Sequence, residues 1–534
     1  MRRRLLSLFA LFLSLAFVAA ACGGGDDTSA DGDTSTGTED GPAEAPRDAG
    51  ETTDTREVNR DGTLRISYTV GPSRFDPHKA TSSYDNTSLF LTYDRLIHQS
   101  PAAEAVPGLA ESWTFADDGS YLELALRSGV TFHDGQPFNA EAVKGNIERA
   151  KTVEGSAVAP ELAVIDSVEV VDDTTVHLML NGPAASLPLV LSDRAGMMIS
   201  PAAFDDPNLV NQPVGAGMYK VTEYRQDDTI IYERYEDYWD PDAAAAAKIE
   251  YLIQPDSNTR LNAITTGQID WTLIDPVQVA DAEGAGLVVD PSPSLAFLHL
   301  QLNRSFEPFQ DARVRKALNH AIDNAGIVQT VLLGYGDLND QSFPEWYFAF
   351  DEATGTEVYD YNPETARQLL AEAGYADGFS FEVVVPTIPI YQELYQAMQP
   401  MMAAVGIDMT LRSVPGAQVA DIFYAQKEGQ AIISPWGGRP DPSQTLYLLF
   451  TPDGFSNPGG VTTDKFMDLY PATLEVDGRE AALQAASAEI TAEAMDVVMY
   501  YPQTPYVYGQ NVVGVQQWYS GKPEFRGMGV SAEG

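Results

Sequence analysis

Leu126-Arg127-Ser128-Gly129-Val130-Thr131-Phe132-His133-Asp134-Gly135-Gln136-Pro137-Phe138, with Ala140-Glu141-Ala142-Val143 close behind, says more about architecture than any other part of the chain. It is entered from Tyr121–Leu126, where Leu122, Leu124 and Leu126 alternate with more polar positions, the period-two pattern of a half-buried strand. His133 and Asp134 stand side by side as a candidate catalytic pair. Gly135 and the flanking Phe132 and Phe138 suit instead a tight turn under an aromatic cover.

Outward from this block the chain mixes strand and helix signals. Residues 167–180 read as a hairpin, with Val168, Val170, Val176, Leu178 and Leu180 around an Asp172-Asp173 turn. Asn362 caps a helix that Pro363 starts and Gly374 stops, its apolar face made by Ala366, Leu369, Leu370 and Ala373. Asp311 precedes a second helix carrying Val314, Ala317, Leu318, Ala321 and Ile322. A third, near residues 390–405, ends at Gly406 and feeds a strand over 407–411. The pattern predicts an α/β body. From about residue 58 to residue 534 it is longer than one compact core organises, so two or more lobes are expected.

The first residues form a different region. Three arginines within residues 1–4 precede an apolar run over 5–21 broken only by Ser7 and Ser14, the make-up of a secretory signal, with an uncleaved signal anchor as the alternative. Ala19, Ala20 and Ala21 lead into Cys22, the single cysteine, with Gly23, Gly24, Gly25, Asp26 and Asp27 after it. This resembles the lipobox of bacterial lipoproteins, although Ala19 stands where leucine is usual. The resemblance implies a cut before Cys22 and lipid on its thiol. The mature chain then has no disulfide, cysteine metal site or cysteine nucleophile. Residues 23–57 hold eleven Asp or Glu, two Arg and no large apolar residue, so they are expected to be a disordered tether. Such a segment spans roughly 30–35 Å as a flexible coil.

The net charge is −45, and only nine of the 32 basic residues are lysine. A surface of that sign repels nucleic acid and anionic lipid headgroups. Its plainest role is to keep the body solvated.

Several segments in order resemble the extracellular solute-binding proteins of family 5, the oligopeptide, dipeptide and nickel binding group of ABC importers. They are Tyr93-Asp94-Arg95-Leu96, Pro107-Gly108-Leu109-Ala110-Glu111-Ser112-Trp113, the block quoted first, Pro213-Val214-Gly215-Ala216-Gly217-Met218-Tyr219, and Gly267-Gln268-Ile269-Asp270-Trp271. Arg313-Val314-Arg315-Lys316-Ala317-Leu318 and Leu369-Leu370-Ala371-Glu372-Ala373-Gly374-Tyr375 continue the series. The likeness covers roughly residues 62–530. It implies a two-lobed periplasmic-binding-protein fold (type II, mixed sheets) with an extra N-terminal subdomain and a cleft between the lobes. The expected division is signal 1–21, acylated cysteine and tether 22–57, first lobe 58–90 with 181–295 and 506–534, subdomain 91–180, and second lobe 296–505.

The peptide-binding branch of this family places a carboxylate for the ligand's α-amino group in a tryptophan-led segment of the second lobe. The matching segment is Pro435-Trp436-Gly437-Gly438-Arg439-Pro440-Asp441-Pro442, with Arg439 where that carboxylate is expected. Arg439 can grip a carboxylate bidentately, or can be a surface residue paired with Asp441. Trp436 offers a flat cleft wall or fills the core. The opposite wall is expected after Asp76-Pro77-His78-Lys79, where Thr81 and Ser82 replace a cleft-lining acid of the oligopeptide branch. The candidate ligand residues are therefore Trp436, Gly437, Arg439, Asp441, Thr81 and Ser82, and the candidate lipid site is Cys22.

An enzyme is the rival class. Six histidines at scattered positions form no two-histidine helical metal motif, and no Gly-x-Ser-x-Gly elbow or phosphate loop is present, although a pair of distant carboxylates stays open. The expected role is a monomeric binding lipoprotein that captures peptides or peptide-like solutes outside the cytoplasmic membrane, on the periplasmic side where an outer membrane exists. It hands them to an ABC permease without catalysis, cofactor or metal. The same role for an oligosaccharide, opine or metal chelate, or a sensory role, remains the alternative.

Overall fold

A computed structural model describes residues 56–532; Cys22, the expected signal and nearly all of the expected tether lie outside the described residues. Three sheets of different make-up carry the fold. A seven-stranded mixed sheet runs in the order Val288–Ser292, Thr504–Tyr508, Trp271–Leu273, Thr63–Tyr68, Lys248–Ile253, Thr229–Arg234, Tyr219–Arg225. Its parallel pairs flank Thr63–Tyr68, and its outer pairs are antiparallel. Alternate residues Leu64 and Ile66 enter a core with Tyr232, Tyr251 and Trp271.

A six-stranded sheet forms the second lobe, in the order Gly336–Asp337, Val497–Pro502, Phe297–Leu302, Ala431–Trp436, Phe379–Pro386, Ile407–Val414. Every residue of Phe297–Leu302 is buried, as a strand covered on both faces requires. Phe379–Pro386 and Ile407–Val414 are parallel neighbours, which need a crossover, and the helix Pro389–Ala404 supplies it. The capped helices read from sequence are present. Asn362 accepts the Thr365 N–H ahead of Pro363–Glu372, and Asp311 accepts the Arg313 N–H ahead of Ala312–Ala321.

The third sheet, antiparallel in the order Ala110–Phe115, Tyr121–Leu126, Thr175–Leu180, Ile165–Asp172, has its own core under the helix Ala140–Thr152. The block quoted at the outset ties this subdomain to the first lobe. The His133 N–H donates to the Gly215 carbonyl, His133 Nε2 lies 2.9 Å from the Gly217 carbonyl, and Asp134 accepts the Ser200 hydroxyl. Gly217 is fixed by closeness: a Cβ there would come within 2.4 Å of the Thr92 carbonyl carbon. His133 and Asp134 thus serve a structural turn, and burial lowers the imidazole to about 4.

The chain crosses from the seven-stranded to the six-stranded sheet at residues 293–296 and returns at Gln503. The crossings run side by side, since Val288–Ser292 pairs with Thr504–Tyr508 before them and Phe297–Leu302 with Val497–Pro502 after them. The C-terminal segment then lies across both regions. Leu295 of the first crossing donates its N–H to the Tyr519 carbonyl, and Phe525 packs edge-on against Trp271. Glu524 takes both terminal nitrogens of Arg95 at 2.8 and 2.6 Å, each side chain 2 % exposed.

Candidate solute-binding cleft

The strand Ala431–Trp436 ends at the boundary of the second lobe, and the turn after it is built by position-specific chemistry. Gly438 has φ +69°, and a Cβ there would meet the Cβ of Leu295 at 2.8 Å, so the turn sits directly on the first crossing between the lobes. Asp441 ends the turn. Its carboxylate accepts the Ser443 N–H at 2.9 Å and the Ser443 hydroxyl at 2.6 Å, capping the helix Pro442–Phe450. It also accepts Arg479 with both oxygens at 2.6 Å. At 0 % exposure Asp441 is committed to these partners, and Arg439 does not pair with it.

Trp436 is 7 % exposed and belongs to a core with Leu295, Tyr347 and Leu446; its indole N–H donates to the Thr445 hydroxyl at 3.1 Å. What it offers the cleft is a platform. The Arg439 guanidinium carbon lies 5.2 Å from its ring centre, within cation–π range. Arg439 Nε is buried without a hydrogen-bond partner among the described residues. Gly437 is exposed with open space where a side chain would be.

A cavity of about 310 Å³ opens at Arg439. One wall is second-lobe: Arg439, Ser443, Gln444, Tyr447, Leu448, Tyr470 and Leu474. The other comes from the subdomain side: Ala157, Pro160, Glu161, Ser186 and Val190. Among the described residues, Arg439 and Glu161 are its only charged lining residues. Burial pushes the Glu161 carboxyl up, Asp193 adds to this, and Arg194, Arg439 and Lys522 oppose it. Burial pushes Arg439 down, with Glu161 opposing. The pair therefore sense each other across the cavity, and each remains costly to desolvate alone.

Behind the cavity the other charges have partners. Asp193 takes Lys522 at 2.6 Å and the Asn86 amide at 2.8 Å, while Arg194 donates to the Ala80 carbonyl. Thr81 and Ser82 follow Ala80 but do not line the cavity. Thr81 is exposed; the Ser82 N–H donates to Asp85 at 3.0 Å, and its hydroxyl accepts the Tyr84 N–H. The structure thus brings Arg439 to a cavity with Trp436 as its support, and leaves Asp441, Thr81 and Ser82 in local turns and caps. Glu161, Ser443, Tyr447 and Tyr470 were not legible as site residues. Glu161 follows Pro160 in a loop with no motif, and only the packing of subdomain against second lobe sets it opposite Arg439.

Comparison with known proteins agrees with this architecture. The profile of the bacterial extracellular solute-binding proteins, family 5 Middle, matches residues 104–457. The glutathione-binding protein GsiB of Pectobacterium atrosepticum is 29 % identical over 379 residues, 70 % of this chain and 72 % of the relative. That of Escherichia coli K12 is 30 % identical over 361 residues, 66 % and 69 % of the two chains. Among solved structures, the periplasmic binding protein DppA of Helicobacter pylori in complex with the peptide STSA superposes with a TM-score of 0.76 at 25 % identity, over 88 % of this chain and 98 % of that one. NikA of Brucella suis in complex with Fe(III)-EDTA gives 0.78 at 25 %, over 87 % and 99 %. With two lobes joined by paired crossings, an inserted subdomain and this match across most of its length, the chain belongs to the bacterial extracellular solute-binding proteins of family 5.

Proposed function

We propose that this protein is the substrate-binding lipoprotein of an ABC importer, held to the outer face of the cytoplasmic membrane by lipid on Cys22, and that it captures peptides or peptide-like solutes and delivers them to the permease. The observation that carries this reading is the cavity at Arg439, whose walls come from two bodies with separate cores. A solute touching both walls stabilises the closed arrangement by its differential affinity for it, and a permease that recognises the closed form reads out occupancy. The lobe limits in this reading are 58–90, 181–295 and 506–534 for the first, 91–180 for the subdomain and 296–505 for the second. The sheet memberships and the crossings at 293–296 and Gln503 support this division, except that Thr504 and Pro505 already pair in the first lobe's sheet. The relatives' ligands, glutathione and the peptide STSA, support a peptide-like solute. Binding occurs without turnover.

Native mass spectrometry of protein purified without refolding tests this. Masses of short peptides that leave on unfolding are expected, and are to be recovered intact after prolonged incubation with fresh protein. A single sugar-like mass overturns the peptide class, and cleavage products overturn binding without turnover. Retention of a lipid-modified mass on the Cys22 peptide, lost in Cys22→Ser, tests the anchor.

A further inference from the structure

We propose that the cavity fixes a zwitterionic solute in one polarity, carboxylate on Arg439 of the second lobe and ammonium on Glu161 of the subdomain. This rests on the cavity being the solute site. Arg439 and Glu161 are the two charged groups of its lining and lie on opposite walls. Neither makes a side-chain hydrogen bond or ion pair among the described residues, and Arg439 Nε is a buried donor with nothing to donate to. The nearby charges cannot relieve them, because Lys522 is held by Asp193 and Arg194 is turned to the Ala80 carbonyl. Trp436 beneath Arg439 presents the guanidinium as a planar fork, the geometry that a carboxylate matches with two parallel hydrogen bonds.

The arrangement also explains why closure and recognition coincide. A solute with both charges neutralises one group on each body, so both ion pairs exist only when the walls are together. A solute with one charge leaves the opposite residue buried and unpaired, which disfavours closure. The volume of about 310 Å³ lies at the small end of the ~300–1,000 Å³ typical of ligand pockets, which favours solutes of a few residues over long peptides. The neutral remainder, Ser443, Tyr447 and Tyr470 among them, supplies hydroxyls and ring faces for the middle of the solute.

The test is isothermal titration of the full chain with alanine dipeptide, alanine tripeptide and glutathione, each free, N-acetylated or with its carboxylates amidated. In the wild type, blocking either end of a bound member is expected to weaken it by a factor of about 10 to 100, the range of a lost charged hydrogen bond. Glu161→Gln should no longer distinguish free from N-acetylated forms while still rejecting amides. Arg439→Gln should show the reverse, and Arg439→Lys, which keeps the charge but loses the fork, should keep the direction of the wild-type preference at reduced size. Thermal melts identify any variant that has lost its fold, and the blocked-ligand ratios in the wild type stand without it. Discrimination unchanged in both variants, or exchanged between them, overturns the polarity while leaving peptide binding in place. No binding by the wild type of any free-ended probe removes the peptide reading itself, and the polarity with it.

Discussion

Arg304 shows what a single cation does inside the second lobe. It is 2 % exposed and has no carboxylate partner among the described residues; its guanidinium donates to the carbonyls of Val461, Met495 and Leu449 at 3.0, 2.7 and 2.9 Å. Burial lowers it to about 10, so it stays charged, and it ties together the carbonyls of three separate stretches of the chain. Arg304→Met should cost about 2 kcal/mol or more, since the Met495 and Leu449 carbonyls lose their donor while Val461 keeps the Asn457 amide at 3.2 Å. A lower urea midpoint with unchanged slope is the expected result, and an unchanged midpoint would show that the carbonyls find other donors. His78 acts through pH. Burial and then the Arg149 charge hold its imidazole at about 4, against 6.5 in an unfolded chain. The unfolded state binds the proton first, so stability present above about pH 6.5 is lost as pH falls toward 4, by roughly 3 kcal/mol in all. The thermal midpoint of the wild type should fall across that window, and His78→Asn should flatten the fall. Neither residue announced itself in the sequence, because both depend on partners far away in the chain.

At the scale of elements, the helix Pro442–Phe450 separates what belongs to the fold from what belongs to the cleft. Its cap, Asp441, carries the helix start and the Arg479 ion pair together. Asp441→Asn keeps a capping oxygen but leaves Arg479 unpaired, so a loss of about 3–5 kcal/mol is expected, with solute affinity of the folded fraction unaltered. A selective loss of affinity at unchanged melting temperature would return Asp441 to the cleft. The contrast between Asp441 and Arg439, two positions apart, marks the limit of reading by pattern. Local rules sufficed for elements whose signals are contiguous: the strand Tyr121–Leu126, the hairpin around Asp172 and the capped helices at Asn362 and Asp311 all stand where spacing puts them. The segment after Trp436 was legible as a ligand-binding stretch only through the family resemblance, and Arg439 as its departure from the expected acid. The partner across the cavity was not legible, because Glu161 is placed by tertiary packing between two separately cored bodies and carries no periodic or motif signal.

The whole molecule carries −45, and four of its carboxylates line one groove where two bodies approach each other. A groove of about 920 Å³ lies between the turn at residues 116–120 of the subdomain and residues 474–477 of the second lobe. Asp117 and Asp118 line one side, Glu475 and Asp477 the other, and among the described residues its lining holds no lysine or arginine. The Ala185 N–H meets the Leu474 carbonyl at 3.1 Å beside it, so closure brings these carboxylates together in water. Their repulsion opposes closure and is screened by salt, whereas the buried charges of the cavity are screened far less. Raising sodium chloride from about 0.01 M to about 0.15 M shortens the Debye length from ~30 to ~8 Å. Solute affinity should therefore tighten as the salt rises. Simple charge attraction between solute and cleft would give the opposite sign, which makes the direction informative. The double substitution Asp117→Asn with Asp118→Asn should tighten binding at low salt and remove most of the dependence. If the double variant keeps the full salt response, the response arises elsewhere on the acidic surface and the groove does not govern closure.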